Sequence, residues 1–210
     1  MSKPVHSLAN IRTQVGATLV TTLLMLIVVL MLGAASAQMA LQGEKSSRND
    51  RDHQIAFQAA EAALIDAEMD IEQSPDPVRS RSHVFSVTAL QDLDEGAEGH
   101  CGTGESNTLL GVCRQLVFAS TPAWPRIDFF ASGAAMVAVP YGHFTGQSFQ
   151  TGVGVMPVLA PRYIIEYMPY RPPGRSAEQL EYVYRITAVG FGVRETTQVA
   201  LQSFYRKIRS

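Results

Sequence analysis

A long stretch without any charged residue lies near the start of the chain, between Arg12 and Glu44. Its core, from Val15 to Ala37, consists of apolar and small residues interrupted only by hydroxyl groups. An α-helix rises about 1.5 Å per residue, so about 20 residues cross the roughly 30 Å hydrocarbon core of a bilayer. The pattern therefore predicts a membrane-spanning helix.

Charged residues return at Glu44, but apolar residues at helical spacing continue almost to Glu72. The string Ser74-Pro75-Asp76-Pro77 then favours a helix end, because a residue before proline avoids the helical conformation. We predict one uninterrupted helix of about 55 residues, roughly 80 Å long. The apolar stripe of its second half is formed by Ala56, Ala60, Ala63, Leu64, Ala67 and Ile71.

A second apolar face runs along the same half of the helix. It is formed by Ala62, Ile65 and Met69, and glutamates separate it from the stripe. Two interpretations remain open: the helix is sandwiched inside its own domain, or the second face packs against other copies of such helices.

Beyond residue 77 the chain consists of short apolar runs bounded by glycine and proline, which is typical of strands and turns. Weak strand candidates lie at 115–119, 127–130, 135–139 and 153–159. Stronger ones, rich in β-branched and aromatic residues, lie at 162–168, 181–189 and 198–205, with turns at 172–174 and 190–195. These three predict an antiparallel meander whose apolar face covers the alanine stripe. The predicted fold class is α+β, with a long N-terminal helix packed on an antiparallel β-sheet.

The charges around the apolar stretch predict its orientation. Lys3 and Arg12 precede it, which favours a cytoplasmic N-terminus and an exported remainder. A secretory signal peptide cut after Ala35-Ser36-Ala37 is one interpretation, although its apolar region exceeds the usual 7–15 residues. The other is a polar leader removed after Gly16, which keeps the helix on the mature chain. We favour the second, because a cleaved signal peptide has no reason to stay in helical phase with the amphipathic segment behind it.

The composition narrows the function classes. The 210 residues carry 17 basic and 19 acidic side chains, so no large nucleic-acid-binding surface is indicated. Charged residues make up only 17%, below the roughly 25% of ordinary soluble domains. This low share fits a chain that lives partly in lipid or in an assembly.

Two cysteines, Cys101 and Cys113, flank a glycine-rich segment of the exported part. They are too few for a four-cysteine zinc site. Because the compartment is oxidising, a disulfide is the favoured interpretation, and it would stabilise the fold by about 3 kcal/mol. Two free thiols, or a metal pair with His100, are the alternatives.

Residues that could support catalysis are scattered along the chain. The string Gly152-Val153-Gly154 lacks the lysine of a phosphate-binding loop. The acidic segment 92–98 lacks the order of a calcium-binding loop, and the basic tail 205–209 is interpreted as a strand end rather than a DNA site. We expect no enzyme activity, no cofactor and no metal. No metal-ligand spacing occurs among His6, His53, His83, His100 and His143.

Two strings in the predicted helix, Gly16-Ala17-Thr18-Leu19 and the segment from Ala56 to Leu64, carry a family resemblance. The region from about residue 12 to 68 resembles the N-terminal region of PilX-type minor pilins of type IV pili. The resemblance implies a type IV pilin-like fold and cleavage by a prepilin peptidase after Gly16, with methylation of the new N-terminus at Ala17. The implied segments are a leader at 1–16, a transmembrane and filament-core half of the helix at 17–43, an amphipathic half at 44–74 and an extracytoplasmic β-rich domain at 75–210.

One position departs from the wider pilin pattern. Major pilins carry a glutamate at the fifth mature position, where this chain has Thr21. In the filament core that carboxylate can pair with a neighbour's N-terminal amine, and either charge alone would be costly there. The missing carboxylate suits a subunit at a filament tip.

The resemblance implies a minor pilin that primes pilus assembly and sits at or near the tip, in pili that serve adhesion and twitching motility. The implied partners are other minor pilins, the major pilin, a PilY-type tip adhesin, the inner-membrane assembly platform and the prepilin peptidase. Before assembly the chain would be a single-pass inner-membrane protein with a periplasmic C-terminal domain. A tip pseudopilin of a type II secretion system is the alternative, and a membrane-anchored periplasmic enzyme or sensor is the alternative from another class.

Overall fold

The computed structural model of the protein describes residues 17–93, 100–115, 121–171 and 181–207. The chain divides into two compact units, one ending at Arg48 and the other beginning at Asn49. The first helix, α1 (Ala17–Glu72), contains 56 residues and contributes to both units. The predicted single long helix, ending just before the proline-rich string, is therefore confirmed.

The first unit consists, in its described part, of the apolar half of α1. Every residue from Ala17 to Arg48 is exposed. An 18-residue window of this helix has a mean hydropathy of 2.5 and is 0% buried, so the helix is long and apolar enough to cross a membrane. Exposed apolar side chains in such number need lipid or protein around them.

The second half of α1 lies in the second unit, where its alanine stripe is buried as predicted. Five of its six residues are 0% exposed, and the sixth, Leu64, is half-buried and packs against the core; the five are Ala56, Ala60, Ala63, Ala67 and Ile71. Small side chains allow the helix axis to approach the sheet closely, so the stripe sets the depth at which the helix docks.

The sheet of the second unit is mixed. Its strands are β1 (Val112–Arg114), β2 (Val139–Pro140), β3 (Arg162–Tyr170), β4 (Glu181–Phe191) and β5 (Gln198–Tyr205). The order is β1-β3-β4-β5; β3, β4 and β5 form an antiparallel meander, β1 runs parallel to β3, and β2 pairs antiparallel with β3. Other helices in the described residues include α2 (Val87–Asp92) and the 3₁₀ turns at Ser82–Phe85, Trp124–Arg126 and Gly133–Ala135.

The meander was predicted correctly, but the weaker strand predictions were largely wrong. Residues 127–130 form no strand and end in a turn at 129–130, because the Asp128 carboxylate accepts a hydrogen bond from Phe130 N at 2.8 Å. Residues 153–159 form bends, since Gly154 adopts φ +106° and a proline follows at 157. Within 135–139 only Val139 pairs, Gln115 is not in a strand, and 116–119 and the turn at 172–174 lie outside the described residues.

The meander contacts the docked half of α1 at two ends, which we call the near end, around Ala56, and the far end, around Glu72. At the near end, β4 finishes against the helix at Gly190, where an added Cβ would lie 2.0 Å from Ala56 O and 2.4 Å from Ala60 N. At the far end, Tyr205 on β5 donates to Glu72 Oε1 at 2.6 Å. Glycine at position 190 is therefore required by the close approach of helix and strand, with no unusual backbone angle involved.

Candidate functional site: the two halves of the N-terminal helix

The apolar half of α1 satisfies its own polar groups. Thr21 Oγ1 lies 3.1 Å from Ala17 O and 2.9 Å from Thr18 O, so the hydroxyl bonds to carbonyls of its own helix. Ser36 does the same with Leu32 O at 2.8 Å. Such bonds satisfy these hydroxyl donors within the helix itself, which suits an apolar environment.

The predicted processing residues lie at the start of this half. Gly16 lies outside the described residues, and Ala17 is the first described residue of the helix. Thr21 is exposed on the helix surface one turn further on. The structure thus brings Ala17 and Thr21 together on one turn of helix.

The docked half of α1 carries three buried carboxylates that sequence reasoning missed: Asp52, Asp66 and Asp70. Their spacings of fourteen and four residues keep them in phase with the alanine stripe. A carboxylate on an apolar helix face predicts a buried partner, and that signal was present in the sequence.

Asp70 forms the most enclosed of these contacts, a salt bridge with Arg81. The Arg81 side chain is 1% exposed and the Asp70 side chain 0%. Arg81 Nε lies 3.0 Å from Asp70 Oδ1 and Arg81 Nη2 lies 2.6 Å from Asp70 Oδ2, while Arg81 Nη1 donates to Thr108 O and Leu110 O. The guanidinium also lies 3.6 Å from the centre of the Phe144 ring. The Arg81 side chain therefore contacts the helix, the loop at Thr108 and Leu110, and the aromatic core.

Tyr163 of β3 completes the site around Asp70. Its hydroxyl donates to Asp70 Oδ2 at 2.9 Å. Burial, and then the negative charge of Asp70, raise the pKa of Tyr163 well above its ordinary value. The phenol therefore stays protonated and remains a donor.

Asp66 is held by neutral donors alone. Gly142 N donates to its carboxylate at 2.8 Å, and the Thr145 hydroxyl makes a second short contact. Burial raises the pKa of Asp66, and the nearby charge of Asp70 adds to the rise, against the opposing effect of the two hydrogen bonds. Asp66 therefore positions the loop around Gly142, although burial makes its ionised form less favourable.

Asp52 joins the docked half of α1 to the β4–β5 link at the near end. It accepts hydrogen bonds from Val193 N at 2.5 Å, Arg194 Nε at 3.0 Å and Thr197 Oγ1 at 2.7 Å. Desolvation opposes ionisation here, but the donors from Thr197, Arg194 and Val193 outweigh it and lower the pKa of Asp52. The β4–β5 link is thus pinned to the first turns of the docked helix.

A further ion pair lies within the sheet. Glu166 of β3 and Arg185 of β4 face each other in register, and their Oε2 and Nε atoms lie 2.8 Å apart. Glu166 also accepts from Ala123 N at 2.7 Å, and Arg185 contacts the Gln115 amide oxygen. This network fixes the loop that covers the outer face of the sheet.

The two cysteines are joined by a disulfide, as the sequence predicted. Cys113 lies in β1, Cys101 forms an isolated bridge with it, and Gly102 N donates to Val112 O at 3.0 Å. The bond therefore pins the glycine-rich loop to the edge of the sheet.

The candidate metal and nucleic-acid sites do not assemble in the described part of the chain. There, no three His, Cys, Asp or Glu side chains come together in a way that could hold a metal ion. The acidic segment lies largely at 94–99, outside the described residues. In the described part of the basic tail, Lys207 donates to Ser82 O at 3.0 Å and Arg206 lies 4.0 Å from Glu181, so these two cations engage their own domain; Arg209 lies outside the described residues.

The second apolar face of the docked half stays open. Of its three residues, Ile65 is 58% exposed, while Ala62 and Met69 are half-buried; Phe57, which was not part of the predicted face, is 40% exposed on the same half of the helix. The helix is therefore not sandwiched inside its own domain, which leaves the alternative that this face packs against other subunits.

A helix with an apolar, exposed first half and a second half docked on a β-sheet is the architecture of type IV pilin-like subunits. Residues 16–64 match the PilX N-terminal family, and residues 97–207 match the C-terminal part of type IV pilus assembly protein PilX. The chain belongs to the PilX family, whose members are structural components of type IV pili. No curated protein and no solved structure matches it closely enough for comparison.

Proposed function

We propose that this type IV pilus component is a minor pilin that primes pilus assembly and sits at or near the pilus tip. Thr21 is the observation that carries the proposal. Its hydroxyl bonds to Ala17 O and Thr18 O of its own helix, and no carboxylate occurs between Arg12 and Glu44.

The proposal includes removal of residues 1–16 by a prepilin peptidase and methylation of Ala17. Cleavage there creates an amine at the N-terminus of a helix, where the positive end of the helix dipole disfavours it. A neighbouring carboxylate would stabilise such an amine in an apolar core, but this chain offers none. The subunit can therefore receive such an acceptor from another subunit, yet it cannot supply one to a subunit stacked on it.

The open face of the docked half supports assembly with other helices. Ile65 and Phe57 are exposed apolar residues on a helix whose opposite face is already buried. We assign this surface to contacts with other minor pilins or the major pilin. A PilY-type adhesin and the inner-membrane assembly platform complete the proposed set of partners.

The amount of this protein in sheared pili tests the tip position. A tip subunit should occur as a trace that stays roughly constant per filament, and its deletion should lower the number of pili while leaving the shaft unchanged. A ratio to the major pilin near one would contradict the tip position. N-terminal sequencing should find Ala17, whereas a terminus at Gln38 would indicate a cleaved signal peptide.

A matched pair of substitutions tests the role of Thr21. Thr21→Glu introduces a carboxylate at the position that major pilins use, and Thr22→Glu introduces the same charge on the next residue. If no partner amine lies within reach at the tip, both variants should reduce assembly to a similar extent. Normal or increased incorporation of Thr21→Glu alone would show that an amine is present and would argue for a place in the shaft.

A further inference from the structure

A loop at the near end of the second unit exposes only apolar side chains and glycine. Gly152 N donates to Pro157 O at 3.1 Å and closes the loop. Val153 at its tip is fully exposed, Val155 is 58% exposed and Met156 39%. Apolar groups clustered in this way on a surface mark a site of interaction.

Hydrogen bonds place this loop beside the first turns of the docked helix. Val158 N, at the base of the loop, donates to Gly192 O at 2.9 Å. The next two residues, Val193 and Arg194, donate to Asp52 of α1. The loop therefore lies at the near end, on the side where the chain arrives from its apolar half.

The chain between Asp52 and the apolar stretch is short. Asp52 follows Glu44, the first charge after the apolar stretch, by eight residues. Eight residues span about 12 Å as a helix and no more than about 28 Å when extended. Glu44, at the end of the apolar stretch, is therefore tethered within that distance of Asp52 at the near end.

The chain segment that contains the loop carries no formal charge when histidine is neutral, and the nearest charges on the neighbouring link, Arg194 and Asp52, form an ion pair with each other. No Asp, Glu, Lys or Arg occurs between Asp128 and Arg162, a stretch longer than the uncharged one at the N-terminus. Phe130 is 41% exposed and packs on Phe191, with their ring centres 5.1 Å apart, so it adds to the exposed apolar area. A tip made of glycine, valine and methionine offers apolar area but no charge or directed hydrogen bond, which suits lipid better than a specific protein surface.

We propose that, while the subunit waits in the membrane, the loop from Gly152 to Met156 inserts its apolar side chains into the interfacial region of the same bilayer that holds the apolar helix half. The inference rests on the proposed function only for that anchoring. A tethered contact of this kind can be weak and still be occupied, because the anchor gives the loop a high effective concentration at the lipid surface. It would orient the domain before extraction and free the loop when the subunit enters a pilus.

Tryptophan quenching by lipid tests the proposal in the full chain reconstituted into phosphatidylcholine vesicles with brominated acyl chains. Trp124, the only native tryptophan, is replaced by Phe. Single tryptophans are then introduced as Val153→Trp at the loop, Leu30→Trp in the apolar half, and Val78→Trp as a matched control. Val78 is a 91% exposed valine located just beyond the far end of α1.

Insertion of the loop should quench the tryptophan of Val153→Trp at least about threefold more than that of Val78→Trp, with Leu30→Trp quenched most. Equal quenching of the loop and control variants, with Leu30→Trp still quenched, would overturn the lipid contact and leave the anchor intact. If Val153→Asp then lowered incorporation into pili, the loop would be a protein contact instead. Absence of quenching in Leu30→Trp would overturn the anchor and, with it, the loop's contact with lipid.

Discussion

The two halves of α1 accommodate their side chains in opposite ways. In the apolar half many large apolar side chains are exposed, and the hydroxyls of Thr21, Thr22 and Ser36 bond to the backbone of their own helix. In the docked half the buried side chains are alanines, Ile71 and three aspartates, and all three carboxylates bond to groups outside the helix. The apolar half needs lipid or other subunits to cover its side chains, whereas the docked half is covered by the folded domain of its own chain.

This difference shows how a single helix can serve two environments. Lipid and a filament core are both apolar, so a surface without polar demands fits each of them. The folded domain presents fixed donors, mostly from its loops and one from β3, so charged anchors on the helix can set register and direction against it. The docked half therefore gains specificity, while the apolar half keeps the freedom to change partners.

The largest expected effect comes from removing the Asp70 anchor. Asp70→Leu leaves the Arg81 guanidinium buried without its counter-charge, and such a loss costs about 3–5 kcal/mol. Urea unfolding of the full chain in detergent, followed by Trp124 fluorescence, measures the change in free energy. The double variant Asp70→Leu/Arg81→Met should recover much of the loss. A single variant within about 1 kcal/mol of the wild type would contradict the anchoring role.

A smaller effect is expected at the closest approach of helix and sheet. Gly190→Ala places a Cβ against the backbone atoms Ala56 O and Ala60 N, which cannot move without shifting the helix. Overpacking of this kind costs about 1–3 kcal/mol. Gly43→Ala is the control, because its added Cβ meets no atom within 4 Å. Equal stability of the two alanine variants would show that the docked half is held less tightly than the contact at Gly190 implies.

The sequence was sufficient to predict elements whose signals are local. The alanine stripe follows from helical spacing, and β3, β4 and β5 from their β-branched and aromatic residues. The weak strands failed because short apolar runs interrupted by glycine and proline are equally compatible with turns, as at 153–159. The parallel strand β1, of three residues, was missed since so short a run has no detectable periodicity.

The anchors were harder to predict because their partners are distant in the chain. Asp70 contacts Arg81, eleven residues away, but also Tyr163, which is 93 residues away. No local pattern links such positions, although the aspartates themselves share the phase of the stripe. The Glu166–Arg185 pair, by contrast, follows from the register of two predicted strands and could have been found.

The pH dependence of stability separates two of the anchors. The folded-state pKa of Asp66 is raised above its ordinary 3.8, so its contribution to stability falls as the pH rises from about 4 through the folded pKa. Asp66→Asn should abolish this fall, which cannot exceed about 1.4 kcal/mol per pH unit. Asp52, whose pKa is lowered, should instead lose stability as the pH drops below 3.8, and Asp52→Asn should abolish that loss. Parallel unfolding series at pH 3–8 measure both, and identical profiles for the two variants would contradict the assignment.

The smallest effect, close to zero, is expected in the apolar half. Leu26 is 59% exposed, so Leu26→Ala removes no buried contact and should change the free energy of unfolding of the second unit by less than about 0.5 kcal/mol. Leu90 in α2 is the matched control: it is 0% exposed, and Leu90→Ala should cost about 2–5 kcal/mol. Both variants are compared in the same detergent by the same urea titration. A loss of stability for Leu26→Ala that approached the loss for Leu90→Ala would mean that the apolar half supports the folded domain directly. The contrast between an apolar half that needs lipid or other subunits and a docked half covered by its own domain would then no longer hold.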